Sequence, residues 1–265
     1  MSLFDSLRGR VLVVQAHPDD EVFATGAATQ AAKSAGLGVH LRVFTGGEGA
    51  GVSGGELVEA RRRKSAALDR SAALLGIDDW APLAEPGRWL DTPDRPERTI
   101  AAAPVETLVD AFADALAELR PAVVLTVGPD GLTGHPDHVA CHRAVAAAVA
   151  RPNVPKPSDV FGAVLDRNAV VAGTHAAAST LGRPVGSGRV RGIEPGPDVV
   201  ALHGPEDAAQ RRREALDCYV PGLGTAPACA LTEAQGAGDS MLLRFVLDLT
   251  GWGVDRLVRI APTRD

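Results

Sequence analysis

Two stretches of the sequence share one pattern: a short apolar run that breaks off into histidine and aspartate. In the first, Val11 to Val14 lead through Gln15 and Ala16 into His17, Pro18, Asp19, Asp20 and Glu21. In the second, AVVLTV at 122–127 is followed by GPDGLTGHPDH at 128–138. Apolar runs of this length without polar alternation belong to strands covered on both faces, and therefore to a parallel sheet flanked by helices. The intervening segments agree. Residues 22–36 carry small and apolar residues at helical spacing and stop at Gly36, 39–44 alternate as a strand, and 56–75 form a helix stopped by Gly76. Residues 105–119 are an amphipathic helix, and another helix starts near Pro136, a residue favoured in a first turn. TGGEGAGVSGGE at 45–56 is a glycine-rich loop, and 81–104, with five prolines, is an irregular excursion.

Strand, helix, strand, helix, helix, strand, helix is the order of a three-layer α/β fold with a mainly parallel sheet. Ligands of such sheets gather beyond the carboxyl ends of the strands. The clusters at 17–21 and 135–138 both follow apolar strands directly, which puts them at one edge of one sheet. The second half is less regular. Strands are expected at 159–166 and 198–203 and a helix at 204–219, with no linker that would divide the chain, so 1–265 reads as one domain.

Composition closes off several classes of function. The formal net charge of −6 gives no electrostatic footprint for nucleic acid. No apolar run reaches the roughly 18 residues of a membrane span, and no apolar signal core precedes Val11, so a cytoplasmic location is expected. Cys141, Cys218 and Cys229 are far apart and form neither a CxxC pair nor a disulfide framework. The loop GEGAG lacks the spacing of a dinucleotide fingerprint and the Gly-Lys-Ser/Thr of a phosphate loop.

The clusters themselves point to a metal. A catalytic zinc site takes three nitrogen or oxygen side chains and keeps one position open for water. His17 and Asp20 offer one of each on a tight turn, and His135 or His138 can complete the set. That leaves a carboxylate, Asp19, and an imidazole over, which are the groups hydrolysis needs to move a proton and to support an oxyanion, the latter as an imidazolium. Each residue also has a plainer reading. Asp19, Asp20 and Glu21 could be an N-cap and acidic first turn, and Asp137 a first-turn acid. His142 follows His138 by four residues and could pair with it on a metal, but a packing role is preferred. His40, His175 and His203 lack local partners. Helix caps alone, however, would not need histidine at both places.

With AHPDDE at 16–21, HPDH at 135–138 and TGGE at 45–48, the chain resembles the PIG-L/LmbE-like family of zinc-dependent N-deacetylases, which act on N-acetylglucosaminyl compounds or cleave related amides. The resemblance covers 11–150 and continues faintly through RRREALDCY at 211–219. It implies a Rossmann-like fold, zinc on His17, Asp20 and His138, and Asp19 as general base and then acid. It also implies His135 at the oxyanion, Asp137 orienting His135 through its ring N–H, and Glu21 supporting the turn. Arg63 or Lys64 falls near a family arginine that contacts substrate. The substrate implied is a small amino-sugar compound, and a homo-oligomer is compatible with the pattern. Three positions depart from the family: Ala67 where a glutamate usually follows that arginine by three residues, Thr133 where some sugar deacetylases have tyrosine, and Tyr219 where many members have histidine.

The reaction expected is therefore hydrolysis of an N-acyl group, with an amidase acting on a thiol-sugar conjugate, such as a mycothiol S-conjugate, as the nearest alternative. A two-metal phosphoesterase is disfavoured because the clusters supply few ligands for a second ion. A non-catalytic binder has no need of Asp19 and His135. Imidazole and carboxylate ligands suit zinc, and also iron, cobalt and nickel. The loop at 46–55 and the excursion at 81–104 are candidates for the substrate rim, and 46–55 reads equally well as a long connection.

Overall fold

The computed structural model describes residues 3, 4, 6–49, 54–194, 196–236 and 238–260. Among them, seven strands form one sheet in the order β3-β2-β1-β4-β5-β7-β6. Strands β1 (Arg10–Gln15), β2 (Gly38–Val43), β3 (Asp79–Pro82), β4 (Val123–Val127) and β5 (Asp159–Ala163) run parallel. Strand β7 (Val254–Arg259) is antiparallel to β5 and to β6 (Val199–His203), so the parallel sheet has an antiparallel end. The fold is the α/β class with a mainly parallel sheet that the two apolar runs require. Every residue of β4, and every residue of β1 after Arg10, is buried, which is why neither strand alternates.

The chain leaves β1 through α1 (Asp20–Ser34) for β2 on one side, and leaves β4 through α5 (Pro136–Ala150) for β5 on the other. Right-handed crossovers in opposite directions put those two helices on opposite faces. Helix α3 (Val105–Leu119) packs beside α5, while α1 packs against α2 (Gly55–Leu75) and α7 (Ala208–Asp217). The strand order reverses between β1 and β4, which are direct neighbours in register Val13↔Leu125. Their carboxyl ends therefore frame a crevice, the usual ligand position in such sheets.

Helix α3 spans the expected 105–119, and the other expected elements shift by a few residues at their ends. The excursion at 81–104 is not wholly irregular. It begins within β3 and carries two short 3₁₀ turns, Pro96–Arg98 and Ile100–Ala102. The second half is more regular than its sequence implies. It adds α6 (Arg167–Leu181), α8 (Asp239–Thr250) and β7. Strand β7 reads VDRLVR, whose charges hide a buried Leu257 and a buried Asp255.

Asp255 is buried because Arg212 meets it. The Arg212 side chain is wholly inaccessible and lies 2.8 Å from Asp255 Oδ1. It also donates to the carbonyls of Val22 (2.6 Å), Phe23 (2.8 Å) and Trp252 (3.0 Å), while Asp255 Oδ2 accepts the Ala28 N–H at 2.8 Å. The pair thus ties α7 and β7 to the helix that begins at the candidate site. The approach requires glycine at 26, where a Cβ would sit 2.9 Å from Arg212 Nε. Replacing Arg212 by Met leaves a buried carboxylate without its partner, and the expected loss of stability in urea unfolding is about 3–5 kcal/mol. Arg212→Met with Asp255→Leu should recover part of it.

Candidate metal centre and active site

Donor atoms of three residues converge between the ends of β1 and β4. His17 Nδ1 and His138 Nε2 are 3.2 Å apart, His138 Nε2 is 3.2 Å from Asp20 Oδ1, and His17 Nδ1 is 3.5 Å from Asp20 Oδ2. The other nitrogen of each imidazole is already engaged. His138 Nδ1 donates to the Gly131 carbonyl at 2.9 Å, and His17 Nε2 donates to Asp137 Oδ2 at 3.2 Å. In the neutral tautomers that these contacts set, two lone pairs and a carboxylate face one another, an arrangement that calls for a proton or a metal cation. The spacing fits one. Donors about 2.0–2.2 Å from a tetrahedral zinc lie about 3.3–3.6 Å apart.

The electrostatics carry the same message. Burial alone would lower the His17 imidazole, but Asp91, Asp137 and Asp20 outweigh it and raise it well above its ordinary value. Burial works against the charge on Asp20, yet His138 and His17 hold that carboxyl well below the usual range. The cluster binds a proton tightly where a divalent ion can displace it.

The loop between β4 and α5 sets the His138 tautomer. Asp130 caps the short helical turn α4 (Gly131–Gly134) by accepting the Leu132 N–H at 3.0 Å. Gly131 has φ +66°, and a Cβ there would lie 2.9 Å from the Val139 nitrogen and 3.0 Å from His138 Cβ. Thr133 Oγ1, one of the three departures, accepts the His135 N–H and lies 3.3 Å from His138 Nδ1.

His135 caps α5, its Nδ1 accepting the Asp137 N–H at 3.3 Å. That contact puts the ring proton on Nε2, so a neutral His135 is a hydrogen-bond donor. Burial and the neighbouring His17 and His138 lower its proton affinity, which works against the imidazolium expected from the sequence. The expected contact of Asp137 also changes. Its backbone, not its carboxylate, orients His135; the carboxylate serves His17 through Oδ2 and accepts the Ala101 N–H at 2.9 Å through Oδ1. Helical geometry explains this, because Asp137 points back across the crevice toward β1.

Asp19 occupies the N-cap position of α1 but makes no side-chain cap, in contrast to the plainer reading of DDE. Its φ of 109° and ψ of −23° turn the carboxylate away from the helix, at a cost of about 1–3 kcal/mol for a residue other than glycine. The carboxylate instead meets Lys64 Nζ at 2.9 Å. Burial raises the Asp19 carboxyl and Lys64 opposes it, leaving a net rise. Arg63 is placed differently. It stays exposed, 3.7 Å from Glu59. Arg63, Lys64 and Tyr219 line a cavity of about 510 Å³ beside Asp19. A second cavity of the same size opens on the other side, along Asp91, His135 and Asp137. His142 donates to the Val127 carbonyl at 3.0 Å, which gives it a packing role.

Sequence reasoning missed Asp91, whose Oδ1 lies 3.5 Å from His17 Nε2. It comes from the proline-rich excursion, where nothing local marks it. The link is Glu48 of TGGE: Oε2 accepts the Asp91 N–H at 2.9 Å and Oε1 pairs with Arg61 at 2.9 Å. Gly46 is required by that turn, since a Cβ would stand 2.6 Å from Arg61 Cγ. Of the rim loop at 46–55, residues 50–53 lie outside the described residues. Donor atoms of His17, His135 and His138, and of His17, Asp91 and Asp137, also fall within 4.8 Å of one another. The first set spends His135 Nδ1 on its cap, and the second uses the His17 nitrogen already given to Asp137.

Residues 12–149 match the family model described as PIG-L, GlcNAc-PI de-N-acetylase. The chain belongs to the PIG-L family. A 1D-myo-inositol 2-acetamido-2-deoxy-alpha-D-glucopyranoside deacetylase of Mycolicibacterium vanbaalenii is 38% identical over 154 residues, which are 53% of this chain and 54% of the relative. This PIG-L chain thus spans about half the length of that curated relative. Among solved structures, the A40926 pseudoaglycone deacetylase Dbv21 has a TM-score of 0.61 at 19% identity, covering 96% of this chain and 97% of its own. The 4-carboxy-2-hydroxymuconate hydratase GalB of Pseudomonas putida KT2440 has a TM-score of 0.55 at 14% identity, covering 97% and 98%. These likenesses show the fold, and a fold shared by deacetylase and hydratase leaves the reaction to be argued from the site.

The second-sphere contact at Gly131 gives a direct expectation. Gly131→Ala should displace His138 and weaken zinc binding about 10–100-fold, measured by competition with a chromophoric chelator, while far-UV circular dichroism is unchanged.

Proposed function

We propose that this PIG-L protein is a metal-dependent N-deacetylase acting on an amino-sugar-containing small molecule. The observation that carries the reading is the convergence of His17 Nδ1, Asp20 and His138 Nε2 beside a carboxylate that is kept from capping its own helix. In this reading His17, Asp20 and His138 hold the ion, zinc or a similar divalent transition metal. Such an ion supplies Lewis acidity toward an amide carbonyl and lowers the pKa of water to about 7. Asp19 takes the proton of the attacking water and delivers it to the amide nitrogen as the C–N bond breaks, giving a carboxylate and a free amine. Lys64 holds the Asp19 carboxylate in place between those transfers. The Nε2–H of His135 donates to the oxygen that gains charge, and Asp137 fixes His17. The named activity of the curated relatives supports the choice of an N-acetylated amino sugar.

Among the described residues, no helix is long and apolar enough to cross a membrane. One observation favours bulkier amides as well, including a thiol-sugar conjugate. Cavities flank the site on both sides, so a substrate can extend in two directions from the scissile bond.

The test is amine release from N-acetylglucosamine, its inositol glycoside and larger amide conjugates, with metal-loaded and chelated protein in parallel. Metal-dependent release from one of them is expected, and no release from any with stoichiometric metal bound would overturn the reading. Asp19→Asn should lower kcat about 10²–10⁴-fold and leave the bound metal in place. Near-normal turnover in that variant would remove Asp19 as the base.

A further inference from the structure

Glu21 takes no part in the chemistry above, yet its carboxyl is wholly buried and one of its oxygens holds the backbone of Asp19. Oε2 accepts the Asp19 backbone N–H at 2.9 Å. Oε1 accepts two hydroxyls, from Ser71 at 2.7 Å and from Tyr219 at 2.7 Å. These groups come from three separate elements. Glu21 lies in the first turn of α1, Ser71 in α2 and Tyr219 just beyond α7.

What they hold is unusual. An aspartate before a helix ordinarily adopts extended backbone and accepts the free N–H groups of the first turn. Asp19 occupies that position with a left-handed backbone and no cap bond. Relaxed to the extended region, its carboxylate would swing back to the helix end and leave the candidate site. The carboxylate side of the residue is held by Lys64, whose Nζ also stands 5.3 Å over the Tyr219 ring. Tyr219 therefore supports both ends of the same residue, and it lies outside the stretch matched by the family model.

We propose that Glu21, Ser71 and Tyr219 are positioning residues, a brace that keeps Asp19 in the left-handed turn and so converts a default helix cap into a free base. The proposal rests on Asp19 being the base, as in the function proposed above. It gives Tyr219, a departure from the family pattern, a definite task.

The experiment uses the full chain loaded with zinc and the variants Tyr219→Phe, Ser71→Ala and the two combined. Both are small deletions of a hydroxyl, chosen because Glu21 variants could fail to fold. Each single variant leaves Oε1 one donor, so kcat should fall about tenfold, and the double variant should fall about a hundredfold, the scale of a 1 Å misplacement. KM should stay within about twofold, because no substrate contact is removed from the ring face. One zinc per chain should remain bound. In parallel, NMR exchange of the Asp19 amide should quicken about tenfold or more in the double variant, while amides of β1 keep their protection. Unchanged Asp19 exchange overturns the brace whatever happens to kcat. A rise in KM with kcat intact also overturns it and makes Tyr219 only a cavity wall. If the wild-type protein releases no amine from any substrate, the base assignment fails separately and the exchange measurement still decides whether the brace exists.

Discussion

The two halves of the site are joined through one imidazole. His17 has two ties: its Nε2 is held by Asp137 from the helix after β4, and its Nδ1 faces Asp20 and His138 across the space an ion would fill. Without those ties, the turn after β1 and the turn after β4 would be two unrelated loops at a sheet edge. With them, the ring plane is fixed, one nitrogen is left bare, and the donors of three residues share a space the size of an ion. The parallel neighbours β1 and β4 make this contact inevitable, because both strands end at the same level and His17 follows one as the His135–His138 turn follows the other.

Burial of so much charge is tolerable only because nearly every group has a partner. Asp137 pairs with His17 and a backbone N–H, and Asp19 with Lys64. Glu48 pairs with Arg61 and the Asp91 N–H, and Arg212 with Asp255. Glu21 is the exception in kind: it meets two hydroxyls and an amide but no cation, and burial, its dominant influence, pushes its carboxyl up to about 7. The cluster of His17, Asp20 and His138 is partnered only within itself, and the lone pairs of its neutral rings repel until a proton or a metal lies between them. A site that is unfinished in this way has a physical reason to take up an ion, independent of any likeness to other proteins.

Much of this was legible in the sequence because it is local. HPDD and HPDH each place their donors within a few residues of a strand end, and continuous apolar runs betray strands that are covered on both faces. Lys64 was readable only as a cation near a family position, and its pairing with Asp19 was not. The contacts that escaped notice are those that depend on tertiary folding. Asp91 reaches His17 because Glu48 holds its N–H, and Tyr219 reaches Glu21 across 198 residues of sequence. Asp137 illustrates a subtler limit: HPDH puts it beside the histidines, but which histidine its carboxylate meets depends on the direction of a helix that sequence spacing does not specify. In the second half, α6 (RNAVVAGTHAAASTL) lacks a clean apolar period and β7 alternates with charges, so neither announced itself.

The most direct measurement is the position of a bound ion, by anomalous diffraction from crystals of the zinc-loaded protein. The expected ion is bonded to His17 through Nδ1, to His138 through Nε2 and to Asp20, with Asp137 still on His17 Nε2. An ion found instead on His17 Nε2 with Asp91 and Asp137 would contradict the arrangement, because it would take away the group that fixes His17 and leave the converging lone pairs unexplained.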